Sequence, residues 1–134
     1  MVFMNSSGPI PAPDFAFPDV CLTPVVVPVP IPYPNFALAP MAIPSQFTVL
    51  TMCMPAHNML TTKPISLGDN AGVNMGVASG MVMGPQRPIL GSTGIFVGGP
   101  PCTRMLGMGA QNGMSPNIPG ITIAPSQVKV MVLR

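Results

Sequence analysis

Four side chains in this sequence are suited to holding a transition metal: Cys21, Cys53, His57 and Cys102. Three thiols and one imidazole make a complete tetrahedral set for a closed structural zinc site. Cys53-Met-Pro-Ala-His57 sets two of them four residues apart, near enough for one turn to present both. Cys21 stands just before a proline-dense run, and Cys102 follows Gly98-Gly-Pro-Pro101. A small, turn-rich domain gains most from such a staple, because metal-binding free energy there becomes folding free energy. Without a metal, the same residues would be small buried hydrophobes and a hydrogen-bonded turn histidine. Residue types alone leave both readings open. A disulfide between any two cysteines would strand the third thiol.

The other reactive residues are sparse. Glu is absent, and the only acids are Asp14, Asp19 and Asp69. Asp14 and Asp19 lie among prolines with no evident acid–base partner, and no nucleophile signature surrounds the cysteines or His57. The expectation is a protein that is not an enzyme. Asp69, in Leu67-Gly-Asp-Asn-Ala-Gly72, reads as a turn residue capping its own backbone, with a cation-ligand role secondary. Thirteen methionines raise a rival reading, a soft-metal protein binding copper or zinc through Met, Cys and His. Their dispersal, with no acidic or histidine cluster beside them, favours packing instead.

Composition limits what can position these residues. The 134-residue chain carries 20 Pro and 14 Gly, and only 6% of it is charged, against about 25% in ordinary soluble domains. Prolines spread this widely forbid long helices. From Val20 to Thr62 the chain has no charged residue, yet eight prolines interrupt it, so no transmembrane helix fits there. A net charge of +2 from five scattered cations gives no basis for nucleic-acid binding. At 48% hydrophobic the chain is too apolar for ordinary disorder, and part of its uncharged surface should meet a partner. No cationic start followed by an apolar run marks a signal peptide.

The expected architecture is therefore one all-β domain of short strands and turns over residues 1–134, with residues 1–16 irregular. In Pro28-Val-Pro-Ile-Pro-Tyr-Pro34 the prolines would line one face of an extended rim segment, with Val29, Ile31 and Tyr33 on the other. Residues 46–54 read as a strand. Residues 73–83 read as a strand broken by Gly76 and Gly80, and residues 94–98 as a short strand between turns. The alternation of Val128, Val130 and Val132 reads as a half-buried tail strand. Two segments echo one another: Pro34-Asn and Pro44-Ser-Gln46 in one, Pro116-Asn and Pro125-Ser-Gln127 in the other, each leading into an apolar run. A fainter echo links Ala56-His-Asn58 with Ala110-Gln-Asn112. Together they suggest approximate internal symmetry.

Phe17-Pro-Asp-Val-Cys-Leu-Thr-Pro24 followed by Pro28-Val-Pro-Ile-Pro-Tyr-Pro-Asn35 resembles the PAAR-like spike-tip proteins of type VI secretion and related contractile injection systems. Pro55-Ala-His-Asn58, Gly68-Asp-Asn-Ala-Gly72, Gly76-Val-Ala-Ser-Gly80 with Val82-Met-Gly-Pro85, and Pro125-Ser-Gln-Val-Lys-Val130 extend the resemblance from about Phe17 to Leu133. The resemblance implies a small conical β domain that caps and sharpens a trimeric β-helical spike of the VgrG type. It implies one tip per trimer, one structural zinc, transient contact with a target membrane, and separate effector proteins as possible cargo. It implies assembly in the bacterial cytoplasm and delivery by contraction, without a signal peptide. With no toxin domain before Arg134, a stand-alone tip is expected. Cys21 and His57 fall on matching motifs, whereas Cys53 and Cys102 enter the zinc set from their chemistry. The family typically uses several histidines and one cysteine; this chain has one histidine.

Overall fold

The computed structural model describes residues 2–133. In chain order its strands are β1 (Val2–Phe3), β2 (Pro13–Pro24), β3 (Pro28–Leu38), β4 (Leu50–Thr51), β5 (Met54–Pro55), β6 (Arg87–Pro88), β7 (Met108–Gln111), β8 (Ile118–Thr122) and β9 (Met131–Val132). One 3-10 turn, Ala39–Met41, is the helical content of the described residues. The protein is all-β, as its prolines demand.

Five strands form an antiparallel sheet in the order β3-β2-β8-β7-β6. The proline-dense β3 takes an edge, where a missing N–H costs no ladder bond. Pro28, Pro30, Pro32 and Pro34 are exposed while Ile31 and Tyr33 are half-buried, the two-residue alternation of a strand. Within residues 2–16, β1 pairs with β9 and β2 begins at Pro13. Residues 73–83 form turns rather than a strand. They follow β2 through isolated bonds, such as Leu22 N–H to Met75 C=O at 2.9 Å and Val77 N–H to Val20 C=O at 3.1 Å. Among the described methionines only Met4 is buried; Met41, Met54, Met59, Met83 and Met105 are half-buried and the rest are exposed.

Three distant segments meet in a closed ring. The Asn5 N–H donates to the Thr103 carbonyl at 3.0 Å, the Thr103 N–H to His57 at 3.1 Å, and the His57 N–H to Asn5 at 2.9 Å. Bridges Met4–Arg104, Asn58–Cys102 and Ser6–Ala56 repeat the same cycle. Residues 4–6, 56–58 and 102–104 thus occupy equivalent places. The equivalence extends outward: Met4, Ala56 and Cys102 donate to Val130, Val49 and Ile95, while Ser7, Met59 and Met105 donate to Pro55, Pro101 and Phe3.

Each segment is the return arm of a hairpin. The first is β4–β5, so residues 46–54 fold back on themselves instead of forming one strand. The second closes through Phe96–Pro101, and the third is β9–β1, whose two strands come from distant parts of the sequence and pair without a connecting turn. Gly98 and Gly99 make the second turn at φ 66° and 108°. Met52 and Cys53 take the matching positions of the first at φ 50° and 65°, where side chains are uncommon.

The Pro-Ser-Gln echo is a true structural repeat. Gln46 accepts from the Val49 N–H (2.8 Å) and donates to the Val49 and Ala56 carbonyls (3.1 and 2.7 Å). Gln127 accepts from the Val130 N–H (2.8 Å) and donates to Val130 and Met4 (2.7 and 2.9 Å). In the remaining copy Ser92 substitutes, with its Oγ accepting from Ile95 at 3.2 Å and its N–H reaching Cys102 at 2.8 Å. The other echo does not hold, because Ala110–Asn112 belong to the β7 region of the large sheet. The counterparts of residues 56–58 are residues 4–6 and 102–104, which share no sequence with them.

The apolar core is small: Met4, Ala56, Val97, Cys102 and Val132, flanked by Ile95. Elsewhere the largest fully buried side chains are mostly polar, including Gln111, Gln127, Asn35, Asn58, Asn112, Asp19 and Asp69. Gln127 ties Met4, on the ring, to Val130, just before β9. Gln127→Ala should lower the unfolding free energy by about 2–3 kcal/mol, since buried backbone groups lose their partners. Urea denaturation checks this, and a loss below about 1 kcal/mol would remove Gln127 as an anchor.

Candidate metal centre

Strand alternation places Asp19 and Cys21 on one face of β2, both fully buried. The loop after residue 66 brings a third donor. It is fixed to β3 by two 2.7 Å bonds between Phe36 and Leu67, and its turn closes from the Gly72 N–H to the Asp69 carbonyl at 2.9 Å. Gly72 must lack a side chain, for its Cβ would lie 2.3 Å from that of Cys21. The turn thereby points Asp69 inward. Ligand atoms of Asp19, Cys21 and Asp69 all lie within 4.8 Å of one another. The Cys21 thiol contacts Asp19 Oδ1 at 3.8 Å and Asp69 Oδ2 at 3.6 Å.

Amides surround this group. Asn35 donates to Asp19 Oδ2 at 2.6 Å, and Asn117 donates to Asp19 Oδ1. Asn112 Nδ2 reaches Asp69 Oδ2 at 2.8 Å, Asp19 Oδ1 at 3.3 Å and Cys21 Sγ at 3.6 Å. The Met83 N–H donates to both Asp69 oxygens. Among the described residues, no cationic side chain hydrogen-bonds the cluster. Burial, and then the charges of Asp19 and Asp69, push the Cys21 thiol up to about 12. Burial also raises Asp69 above the usual carboxylate range.

The donor set fits a borderline-soft divalent ion: one thiolate and two carboxylates without a counter-charge. Zinc–sulfur and zinc–oxygen bonds at a tetrahedral angle subtend an edge of about 3.5 Å. The two sulfur–oxygen separations, 3.6 and 3.8 Å, lie close to that edge. Binding would replace the thiol proton of Cys21.

The four residues predicted as zinc ligands do not assemble. Among the described residues, Asp19, Cys21 and Asp69 are the only group of three or more acidic, cysteine or histidine ligands. Only Cys21 is common to both sets. Cys53 sits exposed in the β4–β5 turn. His57 lies on the ring, where its counterparts Asn5 and Thr103 are not customary zinc ligands. Its Nε2 is 3.0 Å from Ser7 Oγ, beside a polar cavity of about 30 Å³ lined also by Asp14 and Lys63. Burial, and secondarily Lys63, pull His57 down to about 3. Cys102 is in the apolar cluster, and burial raises its thiol. In the sequence Asp19 has no visible partner, and Asp69 reads as a turn residue. The signal that joins them is Asp19-x-Cys21 on a strand together with an inward-turning Gly-Asp-Asn-Ala-Gly loop.

Residues 13–120 match the family model described as "Toxin PAAR-like domain". The chain belongs to this Tox-PAAR-like family. No curated protein and no solved structure matches it.

Two outcomes follow. In the native protein at pH 8 only Cys53 should alkylate rapidly; Cys21 and Cys102 should react on unfolding. Mass spectrometry of iodoacetamide-treated protein reads this, and rapid native labelling of Cys21 would contradict the buried cluster. His57 is held neutral in the fold, so its contribution is present above pH 6.5 and is lost as pH falls towards 3. Stability should decline across that interval by up to about 1.4 kcal/mol per pH unit. Urea titrations of wild type and His57→Asn should show a shallower slope in the variant.

Proposed function

We propose that this chain is the tip of a contractile injection spike, seated singly on a trimeric β-helical spike protein of the VgrG type. Its role is structural: it caps and sharpens the spike for puncture of a target membrane and offers a mount for separate effector proteins. It performs no catalysis. It assembles in the bacterial cytoplasm and leaves on contraction. One zinc ion, held by Asp19, Cys21 and Asp69, would join β2 to the 66–72 loop and stiffen the polar end of the interior.

The observation that carries this reading is the closed ring of Asn5, His57 and Thr103. One asymmetric chain cannot meet a threefold partner equally on three sides unless it carries pseudo-equivalent surfaces. This chain builds three from unlike sequences. At matching hairpin positions they carry Leu50, Phe96 and Met131, exposed by 56%, 62% and 44%. The family match supports the same reading.

Native mass spectrometry of the tip mixed with a trimeric VgrG-type spike protein should show one tip per trimer. Three tips per trimer, or no complex, would overturn the proposal.

A further inference from the structure

Asn112 stands at the fourth corner of the candidate metal centre. Its Nδ2 is 2.8 Å from Asp69 Oδ2, 3.3 Å from Asp19 Oδ1 and 3.6 Å from Cys21 Sγ. The thiol lies 3.8 and 3.6 Å from the same two oxygens. Four of the six edges joining these four atoms are therefore close to the length that separates ligands around one tetrahedral ion, and the amide–Asp69 contact is a shorter hydrogen bond. The amide occupies a ligand's place, not the centre.

The amide faces the cluster with its donor end. Asn112 Oδ1 points away and accepts the Gly84 N–H at 3.0 Å. This orientation satisfies two buried carboxylates and a thiol in the absence of a cation. It is the wrong orientation for coordination, because an amide coordinates through oxygen. Turning the amide over exchanges its nitrogen and oxygen without moving the backbone. The Gly84 N–H would then lose its acceptor.

We propose that Asn112 is a two-position residue: its NH2 closes the Asp19–Cys21–Asp69 cluster when no ion is bound, and its carbonyl oxygen becomes the fourth ligand when one binds. This rests on the metal reading given above. The chain would then fold around a satisfied polar cluster before it meets metal. Metal affinity would be reduced by the loss of the Gly84 bond.

The test is titration of the full chain with cobalt(II), followed by the thiolate-to-metal absorption band, with zinc as competitor. Asn112→Asp presents oxygen without a flip and retains an acceptor for Gly84, so it should bind about 10–100-fold more tightly than wild type. Asn112→Ala lacks the fourth ligand and should bind about 10–100-fold more weakly. If Asn112→Ala does not fold, nitrogen-15 spectra of the wild type carry the test. Zinc should shift the Gly84 backbone amide and the Asn112 side-chain NH2 pair together. Wild-type binding with an unmoved Gly84 amide, or Asn112→Ala binding as tightly as wild type, would overturn the role of Asn112 and leave the metal reading standing. Absence of binding by all three proteins, or equal binding by Cys21→Ser, would overturn both.

Discussion

The structure depends on pairing buried polar groups. Its apolar core is one small cluster, whereas asparagine, glutamine and aspartate fill much of the remaining interior. A buried amide or carboxylate left unpaired costs more than a typical hydrogen bond contributes, so such an interior depends on its partners, with Gln111, whose amide pairs neither its nitrogen nor its oxygen, the main exception. The glutamines at 46 and 127 show how this is met. Each holds backbone groups on two segments with one side chain. Lys63 and Asp14 solve the same problem with charge: they are buried together at 2.6 Å, and Thr122 donates to the other Asp14 oxygen at 2.5 Å.

That constraint joins the ring to the candidate metal centre. In the ring, backbone groups of three unrelated segments satisfy one another in a cycle, so no sheet edge is left open there. In the centre, side-chain amides do for two carboxylates and a thiol what backbone groups do in the ring. Asp19 alone receives amides from positions 35, 112 and 117. These come from β3, the residues following β7 and the residues preceding β8, so the cluster draws the large sheet and its loops onto one point. A chain with so few charges has little else with which to fix the register of short strands.

The surface is the complement of this interior. Val25, Val26 and Val27 at the β2–β3 turn are exposed by 69%, 97% and 67%. Hydrophobic residues that a larger domain would bury are presented outward here, which suits the proposed place of the chain in an assembly. The polar interior lets so small a domain keep its shape while leaving apolar residues for contacts outside itself.

The sequence by itself determined the all-β class, the edge position of the proline-rich strand and the family, because proline spacing and the Pro-Asp-Val-Cys and Pro-Ile-Pro-Tyr-Pro-Asn motifs act locally. It also showed one of the repeats, through Pro-Ser-Gln. It misled at residues 46–54 and 73–83, where β-branched and apolar runs look like strands but lack continuous partners. The threefold ring was hidden because backbone groups make it, and Met4–Ser6, Ala56–Asn58 and Cys102–Arg104 share no side-chain pattern. The four expected zinc ligands lie apart for a related reason. Cys53 and His57 are close in sequence, but a hairpin turn sends one outward and the ring holds the other inside. Asp19, Cys21, Asp69 and Asn112 meet only because a strand face, a glycine-dependent loop and the end of β7 converge. Tertiary structure decided that convergence, since long-range pairing sets which distant donors share one buried volume.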